Sequence, residues 1–457
     1  MKTETKPLTG GATRRDFLKK TATAAAVVAT ANVLKPTVYG QAPSAGRVIG
    51  ANDRIVVGHI GVGGQGMAHV RDIKAHAAEN NVVQVAVCDV WAKRTESAKA
   101  TIGGDCQGFD DHRKLLDRKD IDAVVVATVD HWHTPCSVDA MQAGKHVYVE
   151  KPMTRYLGEA FQIYDTVKRT GKILQVGSQG CSDLKWHKAA ELIKAGSIGP
   201  MVMVQGSYMR NDPQGEWNYT IDPDLKAENT DWDRWLGPVK KRVSFNPDHY
   251  FRWRKYYPYC AGLLGDLFPH KLHPYMLATG APEFPIRVAC VGNKKVGTDL
   301  KSAGPKKTAY VRDVPEIVQL IAEFPSGMVM HITSSTVNEI GTQELIRGHK
   351  GNLYMGSNRV ELKPEKAFAD EVEPFTSDAF GSENLATHEK NWFDAIRGKA
   401  QANCGIDLAV RVQAVISLAE MSERLNLMCL FDEKTRKITD GSGKEIKPLS
   451  YGWTELS

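Results

Sequence analysis

From Arg54 to Val176 the chain repeats one pattern, a short apolar run followed by a helix-length amphipathic segment. The runs occupy Ile55–Ile60, 82–87, 123–128, 146–149 and 173–176. A run that is apolar throughout suits a strand covered on both faces, and crossover helices supply the cover. The alternation therefore predicts βαβ units on a buried parallel sheet. The first run passes into Gly61-Val62-Gly63-Gly64-Gln65-Gly66, and a helical segment follows over 67–76.

Gly61, Gly63 and Gly66 fit the spacing G-x-G-x-x-G. Gly61 permits a tight strand-to-helix turn, Gly63 lets backbone approach a pyrophosphate, and Gly66 allows close helix–strand packing. Gly64 and Gln65 belong to the same turn, where the N–H groups of a helix N-terminus face phosphate oxygens. The second run ends at Cys88-Asp89, 23 residues past Gly66. A dinucleotide fold places there the acid that binds the adenosine ribose. An acid at Asp89 favours NAD, because it repels a 2′-phosphate. Lys93 and Arg94, one helical turn on, suit NADP instead.

Near residue 177 the rhythm changes. A helical stretch at 188–195 and a strand-like one at 201–208 precede a loop-rich region reaching about Tyr259. Strand candidates follow at 286–291, 317–324, 328–336 and 343–347, and segments 389–397 and 407–425 are helical by period. The expected fold is α/β, in two domains. A Rossmann dinucleotide-binding domain spans 54–177, and an α+β domain with a largely antiparallel open sheet spans 178–457. The second is expected to bind substrate and to carry a homo-oligomer interface.

Composition narrows the class further. With 42% hydrophobic and 25% charged residues, the chain is neither disordered nor a multi-span membrane protein. The formal net charge of +6 is concentrated at one end. Residues 1–40 hold seven Lys/Arg and two acids, so the body is nearly neutral, which removes the electrostatic case for nucleic-acid binding. Thr13-Arg14-Arg15-Asp16-Phe17-Leu18, followed by the mildly apolar stretch 21–34, resembles a twin-arginine export signal. That stretch is too short and too weakly apolar to stop in a bilayer, so no span is expected after signal removal. Residues 1–40 are read as the signal, with cleavage near Val38-Tyr39-Gly40, and 41–53 as a linker. The expected location is the periplasm or otherwise outside the cytoplasm. None of the eight cysteines forms a C-x-x-C pair, so neither a zinc knuckle nor a dithiol motif is visible, and most sit in strand-like core contexts.

Two further segments carry a resemblance. One is Ala127-Thr128-Val129-Asp130-His131-Trp132-His133 after the third apolar run, and the other is Val149-Glu150-Lys151-Pro152. With the glycine loop they resemble the Gfo/Idh/MocA family of oxidoreductases, over residues 54–290 by motif. The family's Asp-x-x-x-His element is matched here by Asp266-Leu267-Phe268-Pro269-His270. The resemblance implies that Thr128, His131, His133, Glu150, Lys151, Pro152 and Gln179 lie along the cofactor. It also implies that Lys151, Asp266 and His270 face the substrate side of the nicotinamide. Relatives often have an acid three residues after that His, where this chain has His273. Structural roles stay open for His131, His133 and His273, and no ligand spacing requires a metal site from His249, His270 and His273.

The chemistry expected of these residues is hydride transfer from a secondary alcohol. His270, near its ordinary pKa of about 6.5, suits the base, and Asp266 can orient its imidazole or hold a neighbouring hydroxyl. Lys151, its pKa lowered beside a cationic ring, stabilises the developing alkoxide. Twelve of the 36 aromatics fall between Tyr208 and Tyr259, with polar residues interleaved. Flat rings with polar neighbours suit carbohydrate, and Tyr208, Trp253 and Arg254 are the expected substrate contacts. The leading expectation is an NAD(P)-dependent oxidoreductase acting on a sugar or glycoside, at C3 in one version, with tightly held cofactor. The alternatives are an NAD-dependent glycosidase working by oxidation, elimination, hydration and reduction, and a non-catalytic dinucleotide-binding protein.

Overall fold

The computed structural model describes residues 53–293, 295–381 and 384–452. The leader read at 1–40 lies outside them, as does all of the linker except Asp53. Strands β1 (Ile55–Ile60), β2 (Val82–Cys88), β3 (Gln107–Phe109), β4 (Ala123–Val126), β5 (His146–Glu150) and β6 (Leu174–Gly177) form a parallel sheet in the order β3-β2-β1-β4-β5-β6. Every residue of β1 and β4 is buried, as the uninterrupted apolar runs require. Helices α1 (Gly64–Ala75), α2 (Ala92–Ile102), α3 (Asp130–Gln142) and α4 (Leu157–Thr170) make the crossovers. The strand order reverses between β1 and β4, and a doubly wound sheet opens its ligand crevice at that switch point.

The second sheet takes eleven strands, running from β7 (Met201–Asn211) to β17 (Lys437–Thr439). Its centre is β7 beside β10 (Val329–Ser335), β9 (Ile317–Glu323) and β8 (Arg287–Asn293). Most of its pairs are antiparallel, and β10 on β7 is parallel. Along β9 buried Val318, Leu320 and Ala322 alternate with exposed Gln319 and Ile321, the period of a sheet with one covered face. Helix α5 (Leu385–Ile396) packs Trp392 and Phe393 against β1 and β4 of the first sheet. Helix α6 (Ile406–Leu425) is buried over most of its length, and Leu408 through Leu418 lie in the same core as β8 and α4.

One buried ion pair ties α6 to the turn after β5. Arg155 donates from Nη1 and Nη2 to Glu420 at 2.6 and 2.7 Å, and both residues are about 1% exposed. Arg424 adds a third bond to the same carboxylate at 2.9 Å. Arg155→Met leaves that carboxylate in the core with one cation in place of two. We expect a loss of about 3 kcal/mol in chemical denaturation, and a change under 1 kcal/mol would contradict the assignment.

All eight cysteines are buried free thiols. Among the described residues no helix is long and apolar enough to cross a membrane, and no group of three or more His, Cys, Asp or Glu is placed to hold a metal ion.

Candidate active site

The glycine turn follows from backbone geometry. Gly61 has φ +83°, and a Cβ there would lie 2.8 Å from the Ala127 carbonyl. A Cβ on Gly66 would lie 2.1 Å from the Gly61 oxygen, so only glycine lets α1 start against β1. The N-terminus of α1 has no side-chain cap and no acid in its first turn, and a Cβ at Gly64 would meet only open space. Its leading N–H groups are thus left to an external acceptor, which fits a pyrophosphate.

This turn borders a cavity of about 540 Å³ that also takes in Asp89, Arg94, Thr128 and Trp253. Asp89 accepts from the Val62 and Trp91 amides, both at 3.0 Å, which fixes its carboxylate at the end of β2. Arg94 lies over the rings of Trp91, Tyr250 and Phe251. Lys93, open from sequence as a phosphate ligand, pairs instead with Asp222 and Asp224 at 2.7 and 2.6 Å. The acid at Asp89 and the diversion of Lys93 both fit NAD.

A smaller cavity of about 190 Å³ shares Gln65, Thr128 and Arg254 with the first. Lys151, His270, Glu150, Gln179 and His133 complete its polar wall, together with Asp130. The sequence thus places Lys151 and His270 in one chamber, although 118 residues of sequence separate them.

Asp266, behind the wall and lining neither cavity, is the chamber's organiser. It accepts from Lys151 Nζ at 2.6 Å, Arg254 Nε at 3.1 Å and Trp217 Nε1 at 3.0 Å. Burial opposes its ionisation, but Lys151 and Arg254 outweigh burial and hold the carboxyl well below the usual range. Asp266 therefore positions the ammonium. The expectation that it orients the His270 imidazole is corrected, since that ring stacks on Tyr208 at 5.2 Å and 26°. Burial, and then the Lys151 ammonium, lower His270 to about 3, in place of the near-neutral base read from sequence. The imidazole stays neutral through the physiological range and presents a lone pair.

Three expected contacts, His131, Pro152 and Tyr208, line neither cavity, while His133 stays on the wall of the smaller one. His131 is buried with Nε2 2.8 Å from the Trp235 carbonyl, away from both cavities, because the short helix Trp232–Leu236 packs over it. His133 reaches the cavity edge with its ring clamped between the Pro152 carbonyl at 2.7 Å and the Thr128 carbonyl at 3.2 Å, and burial lowers its pKa. Pro152 follows a cis peptide bond and packs below Gly265. Tyr208 backs His270 without lining either cavity. Most of the aromatics between Tyr208 and Tyr259 pack one another, as Trp232 on Trp235 at 4.6 Å shows, and of these rings Tyr219, Trp235, Tyr250, Phe251 and Trp253 also line the larger cavity, with Arg254 beside them.

Sequence reading missed Asp130. Its carboxyl lines the smaller cavity, and burial raises it to about 7 against the pull of Arg254 and Lys151. Its place three residues before His133, at the first residue of α3 where a helix N-terminus favours an acid, was the available signal.

A crevice at the switch point of a parallel sheet, with a charged chamber at its far end, defines the NAD-binding oxidoreductase fold. Residues 55–178 match the Gfo/Idh/MocA oxidoreductase family, with its NAD-binding Rossmann fold. A glycosyl hydrolase family 109 protein of Shewanella baltica is 30% identical over 263 residues, 51% of this chain and 55% of its own length. An alpha-N-acetylgalactosaminidase of Shewanella oneidensis is 30% identical over 266 residues, again 51% and 55%. The chain spans about half the length of these curated relatives. Among solved structures, an oxidoreductase domain protein from Kribbella flavida superposes with a TM-score of 0.64 at 19% identity, over 83% of this chain and all of that one. Levoglucosan dehydrogenase in complex with NADH and levoglucosan gives 0.60 at 18%, over 85% and 99%. At these identities the likeness concerns the fold.

Proposed function

We propose that this protein takes a hydride from a secondary alcohol of a sugar or glycoside, using NAD held across the two cavities. The observation that carries this reading is the Lys151–Asp266 pair beside a neutral His270, in the chamber that continues the dinucleotide crevice. NAD would rest its pyrophosphate on the first turn of α1 and its adenosine ribose at Asp89, and when bound it supplies the hydride acceptor. Lys151 then holds the alcohol oxygen and stabilises the charge that grows on it. His270 accepts the hydroxyl hydrogen bond and so turns the C–H toward the acceptor. Arg254, borne on Trp253 at 4.2 Å, reaches both cavities and is placed to hold a neighbouring hydroxyl.

A net oxidoreductase is the first form of this reading. Net hydrolysis is the second, favoured by the names of the curated relatives, and it opens with the same hydride step. If the twin-arginine leader exports the folded chain, the cofactor travels with it and cycles in place.

A panel of sugars and glycosides added to the purified protein separates these forms. Reduced nicotinamide and ketone accumulating together support the oxidoreductase. Free sugar without net reduction supports the hydrolase. Neither product, with NAD bound and across the whole panel, would overturn hydride transfer.

A further inference from the structure

Lys151 Nζ carries three N–H donors. One goes to Asp266 Oδ1 at 2.6 Å and one to the Asp266 backbone carbonyl at 2.9 Å. Among the described residues the third has no acceptor, so it is the donor left for an alcohol oxygen in the chamber. Where that donor points is therefore set by Asp266. Its Oδ1 serves Lys151 and Arg254 together, and its Oδ2 accepts from the indole Nε1 of Trp217 at 3.0 Å. Trp217 is 2% exposed and lines neither cavity. It reaches that oxygen from a strained backbone position. The turn 215–218 is closed by the Asn218 N–H on the Gly215 carbonyl at 3.2 Å, and Trp217, its third residue, has φ +68°. A turn whose third residue has positive φ normally places glycine or asparagine there, because a large side chain rarely tolerates the left-handed region. Side chains outside the chamber hold the residues on either side of Trp217. Arg312 Nη2 donates to the Glu216 carbonyl at 2.9 Å. The Asn218 side chain donates to Asp299 Oδ1 and accepts from Lys255 Nζ, both at 2.9 Å. Asp299 in turn takes two bonds from the Arg312 guanidinium at 2.9 Å, and all four of these side chains are buried.

We propose that Trp217 is a positioning residue, held in a strained turn so that its indole N–H fixes the Asp266 carboxylate and, through it, aims the free N–H of the Lys151 ammonium at the substrate oxygen. The effect on turnover rests on the hydride-transfer reading above. With the indole N–H removed, Oδ2 has no donor left among the described residues, and the carboxylate is free to turn about its Cβ–Cγ bond. Arg254, already 3.1 Å from Oδ1, then competes with Lys151 for both oxygens. The ammonium stays in the chamber, so substrate binding is spared while orientation is lost.

Two replacements test this. One is Trp217→Phe, and the other puts benzothienylalanine at position 217, an isostere in which sulfur stands for the indole N–H and the ring shape is kept. In nitrogen-15 NMR of the cofactor-free protein near neutral pH, the held Lys151 ammonium should give a resolved signal, assigned by its absence in Lys151→Met. Both replacements should broaden that signal away, while those of buried Lys145 and Lys255 persist and report an intact fold. In turnover, both should lower kcat about thirtyfold, with KM for sugar and Kd for NAD within about twofold of the parent. Absence of the Lys151 signal from the parent, or its persistence without the N–H, would overturn the proposal. So would an unaltered kcat, or kcat and KM worsening in step, which would make Trp217 a packing residue only. Activity lost in Trp217→Phe and regained with benzothienylalanine would overturn it too, by tracing the effect to ring shape. If the unaltered protein turned over no sugar, the functional reading would fall instead, and the ammonium signal would still decide whether Trp217 holds Lys151 in place.

Discussion

Lys151→Met is expected to lower turnover on any accepted sugar about 1,000-fold while Kd for NAD stays within threefold. Methionine keeps the length and packing of the side chain but removes the charge that meets the alcohol oxygen as the O–H bond breaks. The fold should survive. Asp266 keeps its bonds to Arg254 and Trp217, so its buried carboxylate is not stranded. Steady-state kinetics on the cofactor-loaded protein, with NAD affinity by fluorescence, checks this. A loss under tenfold would place the alkoxide elsewhere, and a parallel loss of NAD affinity would make Lys151 a cofactor ligand only.

Gly66→Ala should abolish measurable NAD binding, a loss of at least about 100-fold, equivalent to about 3 kcal/mol. The added methyl would sit 2.1 Å from the Gly61 oxygen, and that obstacle is backbone, which no side-chain rotation relieves. Helix α1 must move away from β1, and its uncapped N–H groups leave the pyrophosphate position with it. Calorimetric titration measures the affinity, and a thermal melt taken alongside separates lost binding from lost folding. NAD affinity within fivefold of the parent would show that the turn is not where the phosphates rest.

Much of the first sheet was legible because its signals are local. The run Ile55–Ile60 matches β1 at both ends, and Asp89 stands where the second run ends. The helix after the glycines starts at Gly64, earlier than the 67 read from sequence, because Gly63 and Gly64 turn directly into α1. Strand β3 gave no signal, being three residues at the sheet edge with Gln107 and Gly108 exposed. In the second sheet β13 (Gly351–Tyr354) and β14 (Glu361–Pro364) were missed, since four-residue strands fix their register through neighbours more than through their own sequence.

The chamber was legible in part of its membership, Lys151 and His270 but not Asp130, and not in its wiring. Motif spacing brings Lys151, Asp266 and His270 to mind together, but which of them Asp266 bonds depends on where Arg254 and Trp217 arrive. Those two come from the loop-rich region between β7 and β8, where periodicity says little. His69 and Glu389 are 320 residues apart, and their contact exists only because α5 returns to pack on the first sheet. The perturbed acidities follow the same logic, for burial sets most of them and burial is a property of the folded chain.

The most direct measurement is a crystal structure of the protein with NAD and a substrate sugar. The expected density has the pyrophosphate on the first turn of α1, the adenosine ribose at Asp89, and the nicotinamide in the smaller cavity with Lys151 and His270 on its substrate side. Density for the nicotinamide outside that cavity, or a sugar bound away from Lys151 and His270, would contradict the assignment of the site.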